Sequence, residues 1–276
     1  MNTEKAELFT PAPEWSGRSD GPGPEHARWH SVINQSTDSP APITLLGFAS
    51  DEGVLRNGGR QGAAAGPAAL RSALGSLAVH HKHALADAGT ITTQADDLDG
   101  AHDALSDKVQ KLVEAGTLPI ILGGGHETAF GSHRGLYRAV GATKIVNLDA
   151  HFDLRRADQA TSGTPFKQIS ELTDDFDYTV LGISRPNNTA VLFDEAESLG
   201  VAITLDEELV NLSPAECGEL AARATEGKDK VHLSIDLDVL PASTAPGVSA
   251  PASLGVSFER IRAMAVAIAQ TGKLAL

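Results

Sequence analysis

Cysteine, aromatic residues and positive charge are scarce in this sequence. Cys217 is the one cysteine in 276 residues, so no disulfide can form within the chain and a reducing compartment such as the cytoplasm fits. Cys217 sits in a helical pattern and reads as a small packing residue rather than a nucleophile. Aromatics are only 4% of the chain, which favours tight helix-on-sheet packing over an aromatic-rich β-sandwich. Lys and Arg number 22 against 36 Asp and Glu, a formal net charge of −14. Nucleic acid and anionic membranes reward Lys/Arg patches, so neither is expected as a partner. No apolar run reaches the roughly 18 residues of a membrane-crossing helix. Met1–Asp20 is polar and lacks the apolar centre of a signal peptide. What these absences leave is a soluble α/β protein long enough to bury its own core without a staple.

Residues 1–40 are rich in Pro, Gly, Ser and charge and read as an irregular arm. From Ile43 onward short apolar strands alternate with helical patterns. Strands are expected at 43–48, 118–122, 144–148, 178–183, 201–205 and 230–235, with one more after the loop holding His80, His81 and His83. Helices are expected from Pro67, over 97–114, 126–140, 189–199 and 258–270, and from the capping box Ser213-Pro-Ala-Glu216. This alternation implies a three-layer α/β/α architecture with a mostly parallel sheet, as one domain over 41–276.

Three polar clusters follow three of the expected strands: Gly123-Gly-Gly-His126-Glu127, Asp149-Ala-His151-Phe-Asp153 and Asp236-Leu-Asp238. Ligand sites of open parallel sheets form beyond the carboxyl ends of the strands, so the clusters are expected to meet there. If the chain stays extended, residues i, i+2 and i+4 face one way, and Asp149, His151 and Asp153 point together. Four carboxylates packed together repel one another unless cations neutralise them. Two divalent ions balance four carboxylates. The oxygen-rich set with imidazole and no thiolate suits Mn²⁺ first, with Zn²⁺, Co²⁺ or Ni²⁺ behind it. The His80, His81, His83 patch, Asp96-Asp97 with Asp99, and Asp174-Asp175 with Asp177 read as surface loops and solvated turns. Ser162 has no Ser/His/Asp order around it that would make it a nucleophile.

With these motifs the chain resembles the ureohydrolase (arginase/agmatinase) family from about Ile43 to its last residue. The resemblance implies two Mn²⁺ per subunit. His126 and Asp153 would bind one and His151 and Asp238 the other, with Asp149 and Asp236 bridging both. It further implies that a metal-bridging hydroxide attacks an amidine or guanidine carbon, with Asp153 and His151 as the catalytic residues among the ligands. Four stretches make the chain most similar to the formimidoylglutamase branch: 51–60, 123–131, 149–155 with 162–166, and 238–241 with 245–251. Leu240-Pro241 stands where arginases carry Asp-Pro, and Ser162 where they carry a His. The implied substrate is N-formimidoyl-L-glutamate, cleaved to L-glutamate and formamide in histidine degradation. Its carboxylates would be met by Asn57, Arg60, Arg155 or Arg185, whose loops lie at the metal edge. A homo-oligomer is expected, as is a domain that lacks the family's last strand and helix. The alternatives are another ureohydrolase (agmatinase, guanidinobutyrase or arginase) and a metal-binding homologue without turnover.

Overall fold

The computed structural model describes residues 8–35, 41–80 and 83–276. The chain divides into two compact units, Met1–Leu55 with Gln61–Ala139, and Arg56–Arg60 with Val140–Leu276. His81 lies outside the described residues, as do 1–7 and 36–40 of the expected arm.

The first unit is a four-stranded sheet in the order β1-β3-β2-β4. Its elements run β1 (Phe9–Thr10), α1 (Trp29–Val32), β2 (Ile43–Ala49), α2 (Glu52–Arg56, whose last residue belongs to the second unit), α3 (Gly66–Gly75), β3 (Leu85–Thr92), α4 (Leu98–Glu114), β4 (Leu118–Leu122) and α5 (Thr128–Val140). β2 pairs in parallel with both β3 and β4, and β1 closes one edge antiparallel to β3. The arm is therefore less irregular than its composition suggests. Trp15 donates from Nε1 to Asp87 Oδ2 at 2.8 Å, and Asp87 is in turn held by Arg71 in a buried ion pair at 2.7 Å. A lone buried carboxylate is costly, so this pair ties the arm, α3 and β3 into one arrangement. His80 and His83 are exposed. Asp97 is more than a solvated turn: it caps α4 by accepting from the Gly100 N–H at 2.8 Å.

His133, on α5, is fully enclosed, and burial pushes its imidazole from 6.5 down to about 4. The folded ring is neutral at pH values where the unfolded ring takes a proton. The His133 contribution is therefore complete above about pH 6.5 and falls as pH drops from there toward 4, by about 3 kcal/mol in all. Buried Glu127, pushed up to about 7, acts with the opposite sign in this window, so the loss is read as a difference: urea unfolding at pH 7.5, 5.5 and 4.5 should show wild type losing stability relative to His133→Met as pH falls.

The second unit is a four-stranded, wholly parallel sheet in the order β7-β6-β5-β8. It contains β5 (Lys144–Leu148), α6 (Pro165–Ser170), β6 (Asp177–Ile183), α7 (Ala190–Ser198), β7 (Ala202–Leu205), α8 (Asp206–Leu209), α9 (Pro214–Arg223), β8 (Val231–Ile235) and α10 (Phe258–Gln270). Every residue of β5 is buried, as expected for a parallel strand covered on both faces. On one face Val146, Leu148 and Leu181 pack with Cys217 and Ala221 of α9 and with Ile261, Met264 and Ile268 of α10. Cys217 is a free, buried packing residue. Beyond α10, Lys273–Leu276 run parallel along β8, with the Leu233 N–H donating to the Leu276 carbonyl at 2.9 Å. No helix among the described residues is long and apolar enough to cross a membrane.

Candidate metal centre

The carboxyl ends of β8, β5 and β6 lie side by side, with Leu148 in register with Ile235 on one side and Leu181 on the other. The next residues out are Asp236, Asp149 and the loop from Ser184. Asp149, His151 and Asp238 each offer a ligand atom within 4.8 Å of one another, and Asp149, Asp153 and Asp236 do the same. These five expected ligands all belong to the second unit. His126, the sixth, belongs to the first, between β4 and α5.

The way the acidic motifs converge differs from the extended alternation expected from their spacing. The Asp149 side chain accepts the His151 N–H at 2.7 Å, and Asp236 accepts the Asp238 N–H at 2.9 Å. Each motif is thus an Asx turn, in which a carboxylate holds the backbone two residues on and brings the second ligand beside the first. Asp153 is reached through a left-handed residue, its own φ being 50°. Asp adopts that conformation more readily than most residues. The Phe166 and Lys167 N–H groups at the start of α6 both donate to the Asp153 carbonyl, at 3.2 and 3.4 Å.

The electrostatics call for cations. His151 Nδ1 lies 3.0 Å from Asp238 Oδ2 and 3.7 Å from Asp149 Oδ1. Burial opposes a charge on this imidazole, yet the bonds to Asp149 and Asp238 push it up to about 11. Burial, then the charges of Asp236 and Asp149, push the Asp238 carboxyl up to about 9. Protons thus compensate a surplus of buried negative charge. Asp238 Oδ1 is buried without a hydrogen-bond partner among the described residues. Carboxylate oxygens, an imidazole and no thiolate form a donor set that fits Mn²⁺.

Of the four expected substrate residues, Asn57 and Arg155 come together. Asn57 donates from Nδ2 to Ser162 Oγ at 3.1 Å, and the Arg155 N–H donates to the Gly163 carbonyl at 3.0 Å. A Cβ on Gly163 would lie 3.1 Å from Arg155 Cδ and 3.3 Å from Asn57 Nδ2, so the missing side chain lets both settle over the turn. Arg60 donates instead to the carbonyls of Gly247 and Val248, at 3.1 and 2.8 Å. Arg185 pairs with Glu207 at 2.9 Å.

Asn187 and Asn188 are not singled out by the sequence, and Glu127 stands there only within the first polar cluster. Asn188 is the main lace of the ligand turn: its Nδ2 donates to the carbonyls of Ala150 and Ser184, and its Oδ1 accepts the Phe152 N–H. Asn187 Nδ2 lies 3.5 Å from His151 Nε2 and donates to the Pro251 carbonyl at 3.1 Å. In the first unit, Glu127 Oε1 accepts from the Gly53 N–H at 3.0 Å and from Ser50 Oγ at 3.3 Å. Burial pushes the Glu127 carboxyl up to about 7 against the lowering effect of these bonds.

A sequence model described as the arginase family matches residues 41–276. The formimidoylglutamase of Corynebacterium efficiens is 48% identical over 267 residues, which are 95% of this chain and 85% of that protein. The formimidoylglutamase of Rhodococcus opacus is 45% identical over 280 residues, 98% of this chain and 88% of that one. The solved structure of Trypanosoma cruzi formiminoglutamase with Mn²⁺ superposes with a TM-score of 0.78 at 31% identity, over 85% of this chain and 83% of that one. The formimidoylglutamase structure from Bacillus subtilis, at 22% identity and a TM-score of 0.81, covers 90% of this chain and 82% of its own, and so speaks for the fold.

Proposed function

The chain belongs to the arginase family, and on that premise we propose that it is a manganese-dependent formimidoylglutamase, cleaving the formimidoyl C–N bond of N-formimidoyl-L-glutamate to L-glutamate and formamide, a step of histidine degradation. The fold class is the parallel-rich α/β one of that family. The observation that carries the reading is the convergence of Asp149, His151 and Asp238 within 4.8 Å at the carboxyl edge of β5 and β8. Two Mn²⁺ are the proposed complement. His126 and Asp153 are assigned to one, His151 and Asp238 to the other, and Asp149 and Asp236 to both. When bound, such a pair makes water a competent nucleophile near neutral pH.

The protein's own residues supply position and protons. Asp153 is assigned to orient the attacking water through a carboxylate oxygen, and His151 to keep Nδ1 toward Asp238 and Asp149. Arg155 makes no ion pair among the described residues and sits with Asn57 over Gly163. It is the strongest candidate to pair with a substrate carboxylate. Arg60 and Arg185 are proposed as helpers from their loops. Arg155→Ala should raise KM about a hundredfold and leave kcat within a few-fold, the pattern of binding lost equally from substrate and transition state. An unchanged KM would remove Arg155 from the pocket.

The deciding assay supplies Mn²⁺ to the full chain, counts bound metal, and follows formamide and glutamate release with arginine and agmatine in parallel. Turnover of N-formimidoyl-L-glutamate alone, with about two ions per chain, is the expected result. Turnover of arginine or agmatine instead would place the chain on another branch of the family. The same reading carries a homo-oligomer in the cytoplasm, acting on a small molecule without nucleic acid or membrane. Light scattering on the purified chain tests the oligomer.

A further inference from the structure

Beneath the ligand turn lies a polar pair that the proposed chemistry does not use. Asn147 is the one polar side chain within the run Ile145–Leu148 of β5, and it is wholly buried. Its Nδ2 donates to Asp149 Oδ2 at 2.9 Å and to the Tyr178 hydroxyl at 3.0 Å. Tyr178, on β6 and 2% exposed, donates that hydroxyl to the Phe152 carbonyl at 3.2 Å. A carboxylate accepts only, so the amide nitrogen must face Asp149 and the orientation of the amide is fixed. Asn147 Oδ1 is then buried without a partner among the described residues. A buried, unsatisfied carbonyl costs roughly 1–3 kcal/mol, and a leucine in the same volume would avoid that cost. Packing therefore gives no reason for asparagine here, whereas the bond to Asp149 does.

We propose that Asn147 is a positioning residue for the metal ligands, acting through Asp149 directly and through Tyr178 on the turn between His151 and Asp153. The proposal rests on the assignment of Asp149 as a manganese ligand. The His151 N–H donates to Oδ1 and the Asn147 amide to Oδ2, so each oxygen of the Asp149 carboxylate is held by a donor of the protein. Its plane is set before any ion arrives. Through Tyr178, the same amide also fixes the Phe152 carbonyl, so one side chain governs where the first ligand points and where the backbone stands between the next two. Partners of this kind, one bond behind a ligand, typically alter metal affinity 10- to 100-fold.

The test is Mn²⁺ binding by calorimetry and by metal count on the full-length chain, with the spin-resonance spectrum of the bound ion as a second readout. Asn147→Leu should weaken Mn²⁺ binding about 10- to 100-fold and change the spectrum, while the metal-free chain unfolds at the wild-type urea concentration or above it. A residue with only a structural role would lower metal-free stability and leave the affinity of the folded protein alone. Tyr178→Phe removes one hydroxyl and no volume, so it tests the same link should Asn147→Leu fail to fold; it should weaken binding several-fold. Unchanged affinity and spectrum in a folded Asn147→Leu, or in Tyr178→Phe should the first variant not fold, overturns the proposal. A wild-type chain that takes up no Mn²⁺ would instead overturn the metal-site reading beneath it.

Discussion

Asp149→Ala should lower kcat about a thousandfold or more, equivalent to about 4 kcal/mol of barrier, and should leave a chain that no longer gains stability from Mn²⁺. The carboxylate is wholly buried and is shared between both proposed ligand groups, so its loss removes a donor from each ion at once. The metal-free protein should behave differently. Asp149 is one of the charges that push the Asp238 carboxyl up, so removing it relieves repulsion and offsets the lost bonds from Asn147 and from the His151 backbone and imidazole. Metal-free stability should therefore stay within about 1 kcal/mol of wild type. A wild-type chain at 100 times its Mn²⁺ dissociation constant gains about 2.7 kcal/mol, and in the variant that increment should vanish. Urea unfolding with and without Mn²⁺ separates the two effects. A variant that keeps both turnover and the Mn²⁺ increment would remove Asp149 from the site.

Gly124→Ala should destabilise the first unit by about 3 kcal/mol or more, while Gly123→Ala, one residue earlier, should cost less than about 1 kcal/mol. A Cβ on Gly124 would stand 2.0 Å from the Ser50 carbonyl oxygen, 2.8 Å from its nitrogen and 2.9 Å from the Phe48 carbonyl oxygen. All three atoms are backbone at the end of β2, and the Ser50 carbonyl is held by the Gly125 N–H at 2.9 Å. Nothing there can swing aside. At Gly123 the nearest atom to an added Cβ is Thr128 Oγ1 at 3.4 Å, ordinary contact. Urea unfolding of the two variants side by side checks the contrast. Equal stability would mean that this close backbone approach does not govern the turn leading to His126.

How far the sequence reaches is clearest at β5. Lys144-Ile-Val-Asn-Leu148 followed by Asp149 announced a buried strand with acid at its carboxyl end, and both are there. Asn147 was visible as a polar residue in an apolar run, but its partner Tyr178 lies 31 residues away. β3 is legible in the sequence only as a strand after the His80 loop, because Asp87 and Gly89 interrupt its apolar pattern. Asp87 is satisfied by Arg71 and Trp15, and no local window contains all three. The expected substrate residues divide for a similar reason. Position in the chain put Asn57, Arg60, Arg155 and Arg185 at one edge, but pairing with Glu207 and with the carbonyls of Gly247 and Val248 is set by distant loops.

The sequence by itself determined the alternation of strand and helix, the acidic motifs and the donor atoms they offer, because hydrophobic period, Pro and Gly placement and side-chain type are local properties. Tertiary structure alone decided that Asp149 and Asp236 stand next to each other. That follows from the parallel register of Leu148 with Ile235, fixed by backbone hydrogen bonds between strands almost ninety residues apart. It also decided which oxygen of Asp149 meets which donor. Burial makes that geometry matter, since a carboxylate removed from water depends on the few donors that packing brings to it.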